Sequence, residues 1–363
     1  MTTMNLNMIT ILRSAALAVV AIGATATASA QPIAVTAGEF TKVGLAGGQF
    51  LKIGVGARGT GMAGAFSGLA NDLTSLYWNP AGAADMKGYA ADAHTTFWFA
   101  GMQHSFAAAI MPVSERLRAA VSFTSFNSGD ISITTLDQQD GTGGIYQVSD
   151  IALGFSLAGY LTDQFAFGVT AKYVQHAFSQ MSAGGFVFDI GTRYNTGFNG
   201  ITLGFTITGL GTEQVFTGSE VTRTNAPFSG ISTTPLDMQL QTSSFSLPLS
   251  FRAGLGVDLF KGFLDVAPPT DTDGTVIHNW LVGLDFETLS DVPEQFAIGT
   301  EYTFREFVTV RAGYRFGHDQ FGLAGGLGLR YASGDFDGSI DYSINPSASL
   351  GLVNRLSVSM RFN

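Results

Sequence analysis

Residues 164–176 read QFAFGVTAKYVQH. Phe165, Phe167, Val169, Ala171 and Tyr173 share one parity, while Ala166, Gly168, Thr170, Lys172 and His176 share the other. Residues 307–316 repeat the arrangement, with Val308, Val310, Ala312, Tyr314 and Phe316 opposite Thr309, Arg311, Gly313 and Arg315. A period of two marks a strand whose two faces meet different surroundings. A solvated β-sandwich alternates in the same way, so the deciding observation is where the charges fall.

Working outward from these stretches, 14 segments of strand length follow Tyr89: 89–99, 102–111, 116–126, 147–159, 164–176, 185–194, 200–210, 248–259, 277–287, 295–304, 307–316, 321–331, 336–344 and 353–362. Each is about ten residues, the length of a tilted membrane strand, and the even count suits a single-chain bacterial barrel. Nearly every charge in them falls on the non-greasy parity. The cations are Arg116, Arg118, Lys172, Arg193, Arg252, Arg311, Arg315, Arg330, Arg355 and Arg361, and the anions are Asp92, Asp150, Asp189, Asp258, Asp285, Glu287, Glu301, Asp337 and Asp341. The other parity carries Phe, Leu, Val and Ile. A cation on a lipid-facing position costs ~2–4 kcal/mol at the bilayer midplane, which is a physical cause for this segregation. The inward neighbours are Gly, Ser, Thr and Ala, small enough to leave room for a plug.

Composition agrees. Only 13% of the residues are charged, against roughly 25% in a soluble domain. In hydrocarbon only helices and closed barrels satisfy every backbone group, and no long apolar run is present to build a helix bundle. The expected fold is therefore an all-β, 14-stranded antiparallel transmembrane β-barrel over 89–363. Residues 1–30 read as a signal peptide, with Arg13, a short apolar core from Ser14 to Ile22 and Ala28-Ser29-Ala30 as cleavage site. The mature chain would begin at Gln31 and reside in the bacterial outer membrane. Residues 31–88 are left to fill the barrel as an N-terminal plug containing short helices.

Connection lengths orient the barrel. The longest gaps, 127–146 and 211–247, follow segments three and seven and so lie at one end; most gaps at the other end are short. Outer-membrane barrels keep short turns in the periplasm and long loops outside. The first strand is thus expected to run outward, with both termini periplasmic. The net charge of −10 arises mainly from acidic connections and disfavours nucleic acid, whose binding needs cations facing phosphates. Leu356, Val358, Met360 and Phe362 alternate at the C-terminus, and Phe362 resembles a barrel-assembly signal.

Within the plug segment, Phe50 to Ala84 reads FLKIGVGARGTGMAGAFSGLANDLTSLYWNPAGAA. Gly54, Gly56 and Gly59 form a literal GxGxxG, but the βαβ context of a dinucleotide site is missing. A tightly folded, glycine-rich segment inside a crowded lumen is the better reading. Asn79-Pro80 reads as a helix start, with Asn as N-cap and Pro at the first helical position. Asp72 is placed to cap a turn through Leu76, and Arg58 and Asp72 are candidates for a buried ion pair. With no Cys and five scattered His, the sequence offers neither a metal-ligand set nor a Cys nucleophile, and no Ser stands in a strained elbow. The expectation is a non-enzymatic protein without a cofactor.

The stretch FLKIGVGARGTGMAGAF…NDLTSLYWNPAGAADM resembles the N-terminal signature of the PorV/PorQ family, itself similar to FadL-type transporters with 14-stranded barrels and an N-terminal hatch bearing an NPA motif. Asn79, Pro80 and Ala81 match that motif; Arg58, Asp72 and Trp78 match the wider pattern. Ala83-Ala84 depart from it, since Leu is commoner after NPAG. The PorV/PorQ resemblance implies a component of type IX secretion that receives or shuttles exported proteins. Its partners would be outer-membrane lipid and secretion-system proteins or secreted cargo, docked on the 211–247 loop through Phe216, Phe228 and Met238. The FadL resemblance implies instead a passive transporter of hydrophobic small molecules.

Overall fold

The computed structural model describes residue 44 and residues 46–225, 236–240, 242–262, 269–270 and 276–362. The leader assigned to 1–30 lies outside the described residues. The wall consists of β1 (Tyr89–Phe97), β2 (Gln103–Pro112), β3 (Leu117–Asn127), β4 (Val148–Tyr160), β5 (Phe165–Phe178), β6 (Met181–Asn195) and β7 (Ile201–Gly211). It continues with β8 (Ser250–Asp258), β9 (His278–Leu289), β10 (Gln295–Phe304), β11 (Val308–Phe316), β12 (Leu323–Ser333), β13 (Phe336–Pro346) and β14 (Leu352–Phe362). Each strand pairs antiparallel with its sequence neighbour, and β1 pairs with β14 from Tyr89↔Phe362 to Phe97↔Asn354. That last pairing closes the 14-stranded barrel and leaves the wall sheet without a free edge.

The inside–outside alternation follows the sequence parity. In β5, Ala166, Thr170 and Val174 are buried while Val169 and Tyr173 face outward; in β10, Phe296 and Ile298 face outward while Ala297 and Glu301 are buried. Lys172 reaches Asp189 across the lumen face, and Arg252 and Arg311 are both buried there. Aromatic residues ring the outer surface near both ends: Tyr89, Tyr194, Phe307 and Phe362 at one, Phe97, Phe186, Phe296 and Phe316 at the other. Such girdles belong at the two lipid headgroup levels. Phe362 sits in this ring at the end of β14, beside Phe336.

Three details differ from the sequence expectation. Arg116 lies in the turn before β3, exposed and paired with Asp163 of the next turn at 2.9 Å, because the strand begins one residue later. The sixth strand begins at Met181 rather than 185, since a two-residue turn lets Gly184 and Gly185 continue the ladder opposite Gln175 and Val174. The described parts of the 211–247 connection carry short strands of their own. Thr217–Gly218 adds to β6, and Thr222–Asn225 pairs with Leu236–Gln239. Its Gln214 and Phe245 also bridge. Phe228 lies outside the described residues, and for Met238 the structure describes only a backbone pairing with Arg223.

Candidate functional site

The inner segment, residues 46–88, is built from short pieces because glycine and proline interrupt it at close intervals. A single α-turn covers Ala57–Gly61, another Ser75–Trp78, and a 3₁₀ helix Pro80–Asp85. Asn79 precedes the 3₁₀ helix in extended backbone, and its side-chain oxygen accepts from Ala81 N at 3.2 Å. Its amide donates to the Ser67 carbonyl at 3.0 Å and to Thr192 of the wall at 3.1 Å. One fully buried side chain thus caps a helix, braces a loop and ties both to β6. The cap at the preceding turn is different: Thr74 occupies that position, and Asp72 accepts from the Thr74 amide at 3.0 Å.

Trp78 is the core of the segment. Its indole donates to Val55 O at 2.9 Å and stands edge-on to Phe66 and Tyr77. The glycine run explains how the backbone comes this close. A β-carbon at Gly59 would lie 2.6 Å from the indole nitrogen, and Gly56 has φ of +77°. The GxGxxG is therefore a cradle for Trp78 rather than for phosphate.

Glycines of the wall receive the segment's backbone. A β-carbon at Gly283 would fall 2.1 Å from Ala65 O, at Gly299 2.4 Å from Met62 O, at Gly168 2.3 Å from the Pro80 carbonyl carbon, and at Gly204 2.4 Å from Ser67 O. Several of these glycines are register partners on adjacent strands, namely Gly168↔Gly191, Gly204↔Gly254 and Gly283↔Gly299↔Gly313. They make a belt of bare backbone against which the inner segment packs. That belt went unread in the sequence; its signal is glycine at matched register on neighbouring strands.

Charge then locks the segment in place. Arg58 reaches both oxygens of Glu301 through Nε and Nη2, each at 2.8 Å, and its Nη1 donates to Asn71 at 2.6 Å and Asp72 at 3.0 Å. Glu301 also accepts from Arg311 at 2.6 Å, and Arg311 donates onward to Asp341 at 2.6 Å. Bidentate, charge-assisted contacts of this kind are the strong ones. Burial alone would raise the Asp72 pKa, but Arg58, the Thr74 hydrogen bonds and Arg361 outweigh it and hold the carboxyl below its ordinary 3.8. Arg58 is correspondingly held charged despite its burial. At the far end of the segment, Asp85 accepts from Tyr160 and Arg193 of the wall.

The segment floors two cavities that share no wall residue. Toward the short-turn end lies a polar cavity of about 490 Å³ bounded by Arg58, Asp72, Glu301, Arg311, Asp341 and Arg361. Toward the long-loop end lies one of about 440 Å³ bounded by Trp98, Phe99, Phe126, Phe321, Tyr77 and Trp78. Trp98 packs on Phe99 and Phe321 at centroid separations of 5.2 and 5.5 Å. Sequence reasoning missed this cluster, whose members lie in the loops and at strand ends where alternation stops. Phe216, singled out as a docking anchor, is half-buried and stacks on Phe245 at 5.3 Å; both line a smaller apolar recess beside His176.

The barrel is similar to solved outer-membrane barrels. The monoaromatic hydrocarbon channel CymD aligns with a TM-score of 0.57 and 13% identity over 86% of this chain and 98% of its own. The toluene transporter TodX of Pseudomonas putida aligns at 0.56 and 13% identity, covering 85% and 98%. The toluene transporter TbuX of Ralstonia pickettii aligns at 0.51 and 9% identity, covering 85% and 99%. At such identities the likeness is one of fold. No protein-family model and no curated protein sequence matches this chain.

Proposed function

We propose that this protein is a non-catalytic outer-membrane channel that admits small hydrophobic molecules through its loop-end cavity and past the inner segment. The observation that carries this reading is the aromatic cavity of about 440 Å³ resting on Trp78 and Tyr77, with a polar cavity on the other side. A ligand site is concave and mostly apolar with a few polar groups. An apolar receptacle above the floor and a wetted compartment below it give a direction of passage from the loops to the periplasm. The names of the similar barrels, hydrocarbon channels and toluene transporters, favour the same class of cargo. The secretion role suggested by the Trp78-Asn79-Pro80-Ala81 resemblance has no comparable support. Phe216 is occupied by Phe245, and Thr217–Gly218 beside it pair with β6.

The test is uptake of radiolabelled toluene by cells whose outer membrane carries the protein, compared with cells lacking it. Trp98→Ala should reduce uptake roughly two- to tenfold, the worth of one buried ring contact. Toluene uptake equal with and without the protein, together with exported proteins accumulating in the periplasm of the deletion strain, would restore the secretion reading.

A further inference from the structure

The aromatic cavity is also cationic. Lys52, Arg252, Arg315 and Arg355 line it, and no Asp or Glu does among the described residues. His318, in the loop after β11, adds no charge at neutral pH, because burial and then Arg315 hold its pKa down to about 4. Acids stand behind three of the four cations. Asp291 meets Lys52 at 2.9 Å, and Glu287 meets Arg252 at 2.8 Å and Arg315 at 3.9 Å. Among the described residues Arg355 has only neutral acceptors, Gly54 O at 3.2 Å and the Asn345 side-chain oxygen. It is only 6% exposed, as is Arg252, whose Nη1 is buried without a hydrogen-bond partner among the described residues.

A guanidinium carries five N–H donors, and burying its charge without an anion is costly. Among the described residues two carboxylates lie within 4 Å of these four cations, which leaves the cavity short of negative charge, and Arg355 is where the shortage falls. The same guanidinium lies 5.8 Å from the Trp98 ring centroid, while Arg252 lies 5.0 Å from that of Trp78. We infer that the cavity selects a small aromatic carboxylate, its ring held by Trp98, Phe99 and Phe321 and its carboxylate by Arg355. A cavity of about 150 Å³ holds benzene, so about 440 Å³ accommodates one or two fused rings with the charged substituent. A neutral hydrocarbon would fill the apolar half and leave the arginines unanswered. This inference rests on the channel reading above and narrows its cargo.

Equilibrium dialysis of the purified full-length barrel tests it, with radiolabelled 2-naphthoate, its uncharged near-isostere 2-naphthamide, and naphthalene. The carboxylate should bind about tenfold more tightly than the amide, the scale of one hydrogen bond to a charged group. Arg355→Gln should erase that difference while leaving the amide within about twofold, and Arg355→Lys should restore part of it. Removing Arg355 orphans no carboxylate, and the wild-type comparison alone decides the question if the variant fails to assemble. Equal binding of naphthoate and naphthamide would overturn the carboxylate inference and leave the channel reading intact. Laurate displacing naphthoate at equal concentration would overturn the aromatic selectivity. Binding of none of the three ligands would overturn both readings.

Discussion

Both faces of the inner segment carry buried arginines, and the instructive contrast is between Arg58 and Arg311 on one and Arg355 on the other. On the short-turn side Arg58 and Arg311 share Glu301 and divide Asp72 and Asp341 between them, so each guanidinium faces at least one carboxylate within 3.0 Å. On the long-loop side Arg355 faces a backbone carbonyl and an amide. The first arrangement, Arg58–Glu301–Arg311, is neutralised by its own carboxylates and holds structure together. The second keeps donors in reserve beside aromatic rings, which is what a receiving site requires. A buried charge is informative through its partners rather than through its presence.

The largest break in this asymmetry is expected from Gly299→Leu. Its side chain would enter the space of the Met62 carbonyl, 2.4 Å from the first added carbon, and push the inner segment off the wall. The two cavities should then merge, and cells should become sensitive to vancomycin; unchanged sensitivity would mean that the glycine belt does not seat the segment. Glu301→Ala is next. It leaves Arg58 and Arg311 without their shared acid, and breaking a buried pair costs about 3–5 kcal/mol. Protease cleavage within 46–88 should accelerate while the wall stays resistant and heat-modifiable on gels. Asn79→Leu loses a cap worth ~1 kcal/mol together with the bonds to Ser67 and Thr192. A smaller rise in cleavage rate than for Glu301→Ala is expected, and a larger one would reverse the ranking of charge over cap.

The smallest effect concerns pH. Asp72 has a folded-state pKa below its ordinary 3.8. Its stabilisation is therefore complete above that value and is lost only as pH falls through the folded pKa. Protease resistance of 46–88 should stay level from about pH 8 to 5 on this account, with loosening below roughly pH 4. A loss of resistance near pH 6 would point to a histidine rather than to this latch.

What sequence alone determined was the wall. Strand number and the face on which wall side chains lie follow from a period of two, with Arg116, in a turn, as an exception. That period is set by local backbone geometry and needs no knowledge of distant residues. The contact of Asn79 with the Ala81 amide is local in the same way, since it joins residues two apart in the chain, whereas Arg58 and Asp72 are 14 apart and meet through the folding of the inner segment. Only the tertiary structure decided which arginine meets which acid. Glu301 serves Arg58 because the inner segment docks against β10, and Glu287 serves Arg252 because β8 and β9 pair with those residues opposite. Register, closure of β1 on β14 and the seating of 46–88 on a glycine belt are non-local. Sequence parity marks Arg311 and Arg355 alike as inward-facing, and the folded barrel alone distinguishes the guanidinium paired with Glu301 and Asp341 from the one that meets a carbonyl and an amide.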